Sequence, residues 1–475
     1  MDPTLAVVEA GDGLTGGHVL VLLPFSTILP GEFPARDALL AVLSRKEMKP
    51  GDLSRTPVSV DAGALYCFVM PDPSSPVFSI HSLMREALEP LLAEHPETID
   101  IFVASGTRPD LAELALYCAW VNGMPLPVFR KKGEDKPLSG IRLHGAQPAC
   151  GTAARAAGNN LCRMLTSLPG NALDPAAYRK RIRDLAASHG WEIAEYDYET
   201  LKQMGAGAFC AVAQGSPARD AAIVHLVYRG SASKKVALVG KGICFDTGGH
   251  NLKSARGMQG MHEDMNGSAV ALGILLSATL SGLEVCIECY LAIAENHMSP
   301  AAYRQNDIVT ALDGTTIEIV HTDAEGRMVL ADALVLAARA APDLIVDFST
   351  LTGSMATALG SRYSGILGNR QPLVDLAVLS GKLCGERLCA FPFDEDYDKD
   401  LESDVADIRQ CTMEGEADHI LAARFLSRFV DDRPWLHIDL SASKHKGGLG
   451  AVGTDITGFG VSWGMEFLQE WLRKW

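Results

Sequence analysis

Two stretches of the chain concentrate the residue types that metal and hydrolytic chemistry needs. The first runs Val239-Gly-Lys-Gly-Ile-Cys-Phe-Asp-Thr-Gly-Gly-His-Asn-Leu-Lys253 and continues to Met261-His-Glu-Asp264; the second is His321-Thr-Asp-Ala-Glu-Gly-Arg327. Together they hold four carboxylates, Asp246, Asp264, Asp323 and Glu325, interleaved with the cations Lys241, Lys253 and Arg327. Each follows a strand-like run, 235–239 and 316–320, so both fall at carboxyl ends of strands, where α/β sheets gather their ligands. Read as a strand end, Asp323 and Glu325 are i, i+2 and face one side, and Gly326 then lets the chain turn into a helix; carboxylates so placed can share a cation. Asp246 reads as part of a glycine-rich loop, and Asp264 as the start of a small-residue helix, where an acid also serves as a cap. His321 belongs to the same alternation, and spacing alone leaves it open as a ligand or a neighbour of ligands.

Other chemistries fit less well. A phosphate loop requires glycine where Lys235 stands and Ser or Thr where Gly242 stands, so Gly240-Lys241-Gly242 is not one. The 11 cysteines are an odd number without repeated paired spacing, which favours a reducing compartment over a disulfide framework. Cys286 and Cys289 lie in a strand-like run, where i, i+3 side chains point to opposite faces and cannot clip a metal. A net charge of −16 repels phosphate, so nucleic-acid binding is a poor first reading. The first residues lack a basic signal region and no uncharged apolar run reaches the ~18 residues of a membrane span, so a cytoplasmic protein is expected.

The spacing Gly-Lys-Gly-Ile-x-Phe-Asp-x-Gly-Gly, the Lys and Asp that follow, and Thr-Asp-Ala-Glu-Gly-Arg resemble the signatures of the leucine aminopeptidase (cytosol aminopeptidase) family. Met258 to Met265, Ser349-Thr-Leu-Thr-Gly353, Ser403-Asp-Val-Ala-Asp407 and the segment 458–461 resemble it in the same order, from about residue 150 onward. The resemblance implies a two-metal exopeptidase that takes peptides with a free N-terminus, preferably with Leu or a similar apolar first residue. It maps the metal ligands onto Lys241, Asp246, Asp264, Asp323 and Glu325, with Lys253 and Arg327 as the catalytic pair. It further implies Zn or Mn (Mg and Co are also compatible), a bicarbonate at Arg327 acting as general base, a homohexamer, and a substrate pocket at Met261, Thr350, Leu351 and Gly353. It argues against His321 as a ligand, because the family usually has Asn there, near the substrate. A second departure is 414–423, Glu-Gly-Glu-Ala-Asp-His-Ile-Leu-Ala-Ala, where the family usually shows Gly-Gly followed by Ile-Thr-Ala-Ala. Neither departure falls on a ligand position. Two other readings are set beside this one: a DNA-binding architectural or regulatory role, which some bacterial relatives combine with peptidase activity, and a carboxylate-metal phosphoesterase.

Strand-like and helix-like runs alternate throughout, which predicts an α/β protein with two cores: a smaller α/β domain over 1–150, a linker helix over 151–170, and a larger α/β/α catalytic domain over 171–475 with a mixed sheet. The first domain shows no grouping of chemical residues and is expected to serve assembly or regulation. Helices are expected over 35–45, 80–92, 109–120, 175–189, 268–280, 328–340 and 416–430. Strands are expected over 18–23, 65–69, 99–104, 222–228, 285–293, 344–348 and 436–440, with a last helix from 461.

Overall fold

A computed structural model describes residues 5–10, 13–14, 16–131, 136–147, 151–230 and 233–475. Two large sheets organise the chain. The first, drawn from residues 7–144, runs Val7–Ala10, Gly140–His144, Thr98–Val103, His18–Leu22, Leu65–Val69, Val58–Asp61, all parallel except the last edge pair. The second has eight strands in the order Leu388–Ala390, Ser364–Gly368, Trp435–Asp439, Leu344–Ser349, Lys235–Asp246, Cys286–Asn296, Ala222–Arg229, Glu192–Asp197. Its four central strands, Trp435–Asp439, Leu344–Ser349, Lys235–Asp246 and Cys286–Asn296, are mutually parallel, and antiparallel pairs flank them. This is the mixed α/β architecture expected from the alternation.

The helix Thr152–Thr166 lies against both parts. Its Ala156 packs with the core beneath the first sheet, while Leu161, Cys162 and Leu165 pack with the second. Arg163 is buried in the same helix and bonds the carbonyl of Val121 on one side and the Thr454 hydroxyl, at 3.0 Å, on the other. The helix Asn266–Ser281 is apolar on all sides because it is enclosed on all sides, buried from Asn266 to Ala278 between the second sheet, the Thr152–Thr166 helix and the C-terminal helix Val461–Lys474.

The Lys235–Asp246 strand differs from expectation in a way that matters for the site. It does not stop at Val239 but continues through Lys241 to Asp246, paired along its length with Cys286–Asn296. Its glycines do not break it; they admit the Asn266–Ser281 helix, since a Cβ on Gly240 would lie 2.5 Å from the Ser268 Cα. Lys241 and Asp246 are therefore strand residues in the middle of the sheet. The expected i, i+2 strand pair is also corrected: the strand ends at Glu318, Asp323 lies in a turn, and Glu325 is the first residue of the helix Glu325–Arg339. Short edge strands such as Val7–Ala10 and Val58–Asp61 are not visible in the periodicity, because partner register rather than local apolar pattern defines them. No helix among the described residues is long and apolar enough to cross a membrane.

Candidate metal centre

Four elements converge at the carboxyl end of the central strand. Lys241 and Asp246 come from the strand, and Lys253 from the loop after it. Asp264 comes from the turn before the Asn266–Ser281 helix, and Asp323 and Glu325 from the turn and first residue of the next helix. The Lys253 loop reverses at Gly248 and Gly249, whose φ values are +85° and +63°; a Cβ on Gly248 would lie 2.9 Å from Asp323 Oδ1, so only glycine fits. Thr322 locks the two halves together, donating to the Gly248 carbonyl at 2.7 Å and accepting from the Asn251 N–H at 2.8 Å. Gln410 clamps the turn from outside, accepting from the His321 N–H at 3.1 Å and donating to the Ala324 carbonyl at 3.0 Å. Asp332 fixes the helix that carries Glu325, taking the N–H groups of Phe209 and Leu312 at 2.8 and 2.7 Å.

Carboxylate oxygens of Asp246, Asp323 and Glu325 lie within 4.8 Å of one another. The Lys241 ammonium stands 2.8 Å from Asp264 Oδ2 and 2.9 Å from Glu325 Oε1, and donates to the Thr350 carbonyl at 3.1 Å. The Lys253 ammonium stands 2.8 Å from Asp246 Oδ2 and 2.6 Å from Asp323 Oδ1. Asp246 Oδ1 accepts from the Gly248 N–H at 2.8 Å and from Asn296 at 2.9 Å, which aims its other oxygen at the cluster. Asp264 accepts the Thr350 hydroxyl at 2.7 Å through Oδ1 and does not cap the helix, whose N-cap Met265 makes no side-chain cap bond. The capping alternative for Asp264 is thereby removed.

Gly326 has a different role from the expected hinge. A Cβ there would lie 2.7 Å from both Cε and Nζ of Lys241 and 2.8 Å from Leu351 Cδ1, so the missing side chain is the space the ammonium occupies. Gly326→Ala is expected to fold, to displace Lys241, and to lower kcat/KM by about 10²-fold, the usual result of a misplacement near 1 Å in an active site. Steady-state rates and elemental analysis on the same sample would check this; an unchanged rate would refute it.

The charges do not balance. Four carboxylates face two ammonium groups, and burial followed by mutual repulsion pushes the Asp264, Glu325 and Asp323 carboxyls above their ordinary range even against the pull of the lysines. Burial works against the charge on Lys241, yet Asp264, Glu325 and Asp246 hold its pKa above the ordinary lysine value. Among the described residues, Glu325 Oε2 is buried without a hydrogen-bond partner. A buried, oxygen-rich cluster with surplus negative charge and an orphaned carboxylate oxygen suits divalent cations, and two of them would neutralise the four carboxylates.

The remaining sequence candidates fall as follows. Thr350 is tied into the cluster through both its carbonyl and its hydroxyl. Leu351 is half-buried beside Gly326, its N–H donating to Asp439 Oδ1 at 3.1 Å, and Gly353 opens the helix Gly353–Leu359. Met261 is half-buried at the start of the 3₁₀ turn Met261–Glu263. His321 lies outside the carboxylate trio, with Nδ1 accepting from the Asp323 N–H at 3.3 Å. Arg327 is fully buried; Nη2 donates to Asp418 Oδ1 at 2.8 Å and Nη1 to the Gln410 carbonyl at 3.1 Å. Its single positive charge is thus already matched by a carboxylate, and a bicarbonate there would sit against that carboxylate; the expected anion does not fit this seat. Sequence reasoning missed Asn296, Gln410, Asp418 and Asp439. A buried Asn closing an apolar strand was a legible signal for the first; the others are brought in by tertiary packing.

A mixed α/β sheet with a buried multi-carboxylate, lysine-bearing cluster at its carboxyl edge has the donor set of a divalent-metal hydrolase. Residues 160–463 match the profile described as the cytosol aminopeptidase family, catalytic domain, and the chain belongs to that family. It is 40% identical over 317 residues to a probable cytosol aminopeptidase of Syntrophotalea carbinolica, a match spanning 65% of this chain and 63% of that protein's length. It is 39% identical over 366 residues to a probable cytosol aminopeptidase of Parasynechococcus marenigrum, covering 75% of this chain and 74% of the relative. Among solved structures it is similar to the bottromycin maturation enzyme BotP in complex with Mn, with a TM-score of 0.83 and 29% identity over 96% of this chain and 99% of that one.

Proposed function

We propose that this chain removes N-terminal amino acids, preferably Leu or a similar apolar residue, from peptides by two-metal hydrolysis. The observation that carries the reading is the surplus of buried negative charge among Asp246, Asp264, Asp323 and Glu325. These four and Lys241 would hold the metals. Two divalent ions there would supply Lewis acidity, activating water near neutral pH, polarising the scissile carbonyl and giving the free α-amine an anchor. Lys253, on the more open side of the cluster, would donate to the oxygen on which negative charge develops. Lys241 lies deeper, and as a ligand it must give up its proton, which neighbouring cations promote. Met261, Thr350, Leu351 and Gly353 would shape the pocket for the first side chain, where the soft thioether of Met261 suits an apolar group.

Manganese is favoured by the Mn complex of BotP and zinc by the family resemblance. The division into a 1–150 domain for assembly or regulation, a 151–170 linker helix and a 171–475 catalytic domain goes with this reading. So does a homohexamer, supported by the resemblance and by apolar side chains left in solvent, such as Ile28 and Phe129 at 78% and 70% exposure. A cytoplasmic location follows the naming of the relatives. The test is a pair of substrates: leucyl-p-nitroanilide should be cleaved and its N-acetyl derivative should not, because an acylated nitrogen cannot coordinate. Equal rates would point to a different hydrolase.

A further inference from the structure

The geometry points to Asp418 as a built-in carboxylate that takes the place of an exogenous bicarbonate on Arg327 and serves as the proton acceptor of the hydrolysis; this rests on the peptidase reading above. Asp418 is the first residue of the helix Asp418–Ser427, in the segment that departs from the family's usual Gly-Gly pattern. It follows Ala417, a non-glycine residue held at φ +51° that makes no side-chain cap bond. Rather than remaining in solvent at the helix start, the Asp418 side chain crosses to Arg327, with Oδ1 2.8 Å from Nη2. The guanidinium is 2% exposed and the carboxylate 23%, so the acid faces outward from its buried partner.

Two further contacts hold it beside the cluster. The adjoining His419 bonds Ser354 twice, through its N–H at 3.0 Å and its Nδ1 at 2.9 Å, which ties this helix start to the segment that carries Thr350 and Leu351. On the other side its partner Arg327 donates to the Gln410 carbonyl at 3.1 Å, and the Gln410 side chain holds the His321 N–H at 3.1 Å and the Ala324 carbonyl at 3.0 Å, which ties the carboxylate to the turn that carries Asp323 and Glu325. Asp418 would accept a proton from the attacking water as its oxygen bonds to the carbonyl carbon. It would then deliver that proton to the amine nitrogen as the C–N bond breaks, ending unprotonated as it began.

The experiment uses the metal-loaded full chain in carbon dioxide-free buffer, with and without added sodium bicarbonate, and three proteins: wild type, Asp418→Ala and Asp418→Gly. Expected is a wild-type kcat on leucyl-p-nitroanilide that bicarbonate does not change. Both variants should lose about 10²–10⁴ in kcat and regain roughly tenfold or more with bicarbonate, the scale of a general base. Calorimetry should detect bicarbonate binding to Asp418→Ala and none to wild type, a readout that a merely structural role would not move. Activation or binding of wild type by bicarbonate would overturn the assignment, as would full kcat of the variants without it. A fall in kcat with neither binding nor rescue would overturn it too, leaving Asp418 as support for Arg327. If no protein cleaves the substrate, the peptidase reading fails, and calorimetry alone decides whether Asp418 fills the anion seat. Asp418→Gly also vacates the seat and carries the test if the alanine variant does not fold.

Discussion

Glu325→Ala is expected to reduce peptide hydrolysis by at least about 10³-fold, to the detection limit, while circular dichroism and elution volume stay those of the wild type. The side chain is buried, yet it is not part of an apolar core: one oxygen faces Lys241 at 2.9 Å and the other is buried without a hydrogen-bond partner. Removing it would take away a proposed metal ligand and one of four crowded negative charges, so the metal-free variant should lose no thermal stability. Asp264→Ala should behave alike, for its oxygens serve only Lys241 and the Thr350 hydroxyl. Full activity in either variant after metal is added back would sink the ligand assignment.

The two lysines should separate cleanly. Lys241 is 4% exposed, enclosed by Asp264, Glu325, the Thr350 carbonyl and the space left at Gly326, so its nitrogen can serve only the interior of the cluster. Lys253 is 17% exposed and pairs with Asp246 and Asp323, counter-charges that bound cations would take over, freeing its ammonium for the substrate. Lys253→Ala should therefore lower kcat by about 10²–10³ with metal content unchanged, the usual loss of an oxyanion donor. Lys241→Ala should instead lose or weaken one of two metals. Elemental analysis decides: two tightly held metals per chain in Lys241→Ala would refute its role as a ligand.

Much of this site is legible in the sequence because its residues lie in two short stretches whose spacing is distinctive. The local geometry is less so. Lys241 and Asp246 read as loop residues because glycines on either side of Lys241 mimic a strand end, whereas here the glycines let a helix approach the strand. Asp323 and Glu325 read as a strand pair, but the clamp from Gln410, eighty-odd residues further on, holds a turn that no local pattern encodes. Helices with strong local signals, such as Pro175–His189 and Val461–Lys474, begin where the sequence puts them. Arg327 is the instructive case: its type and position suggest an anion seat, and only the fold shows that Asp418 already faces it.

Stripping the wild-type protein with chelator and assaying leucyl-p-nitroanilide before and after adding back Mn or Zn, with metal counted on the same sample, asks whether hydrolysis needs the two metals. The stripped protein should not cleave the substrate, and activity should return as the second metal per chain binds. Undiminished cleavage by protein shown to hold no metal would contradict two-metal hydrolysis.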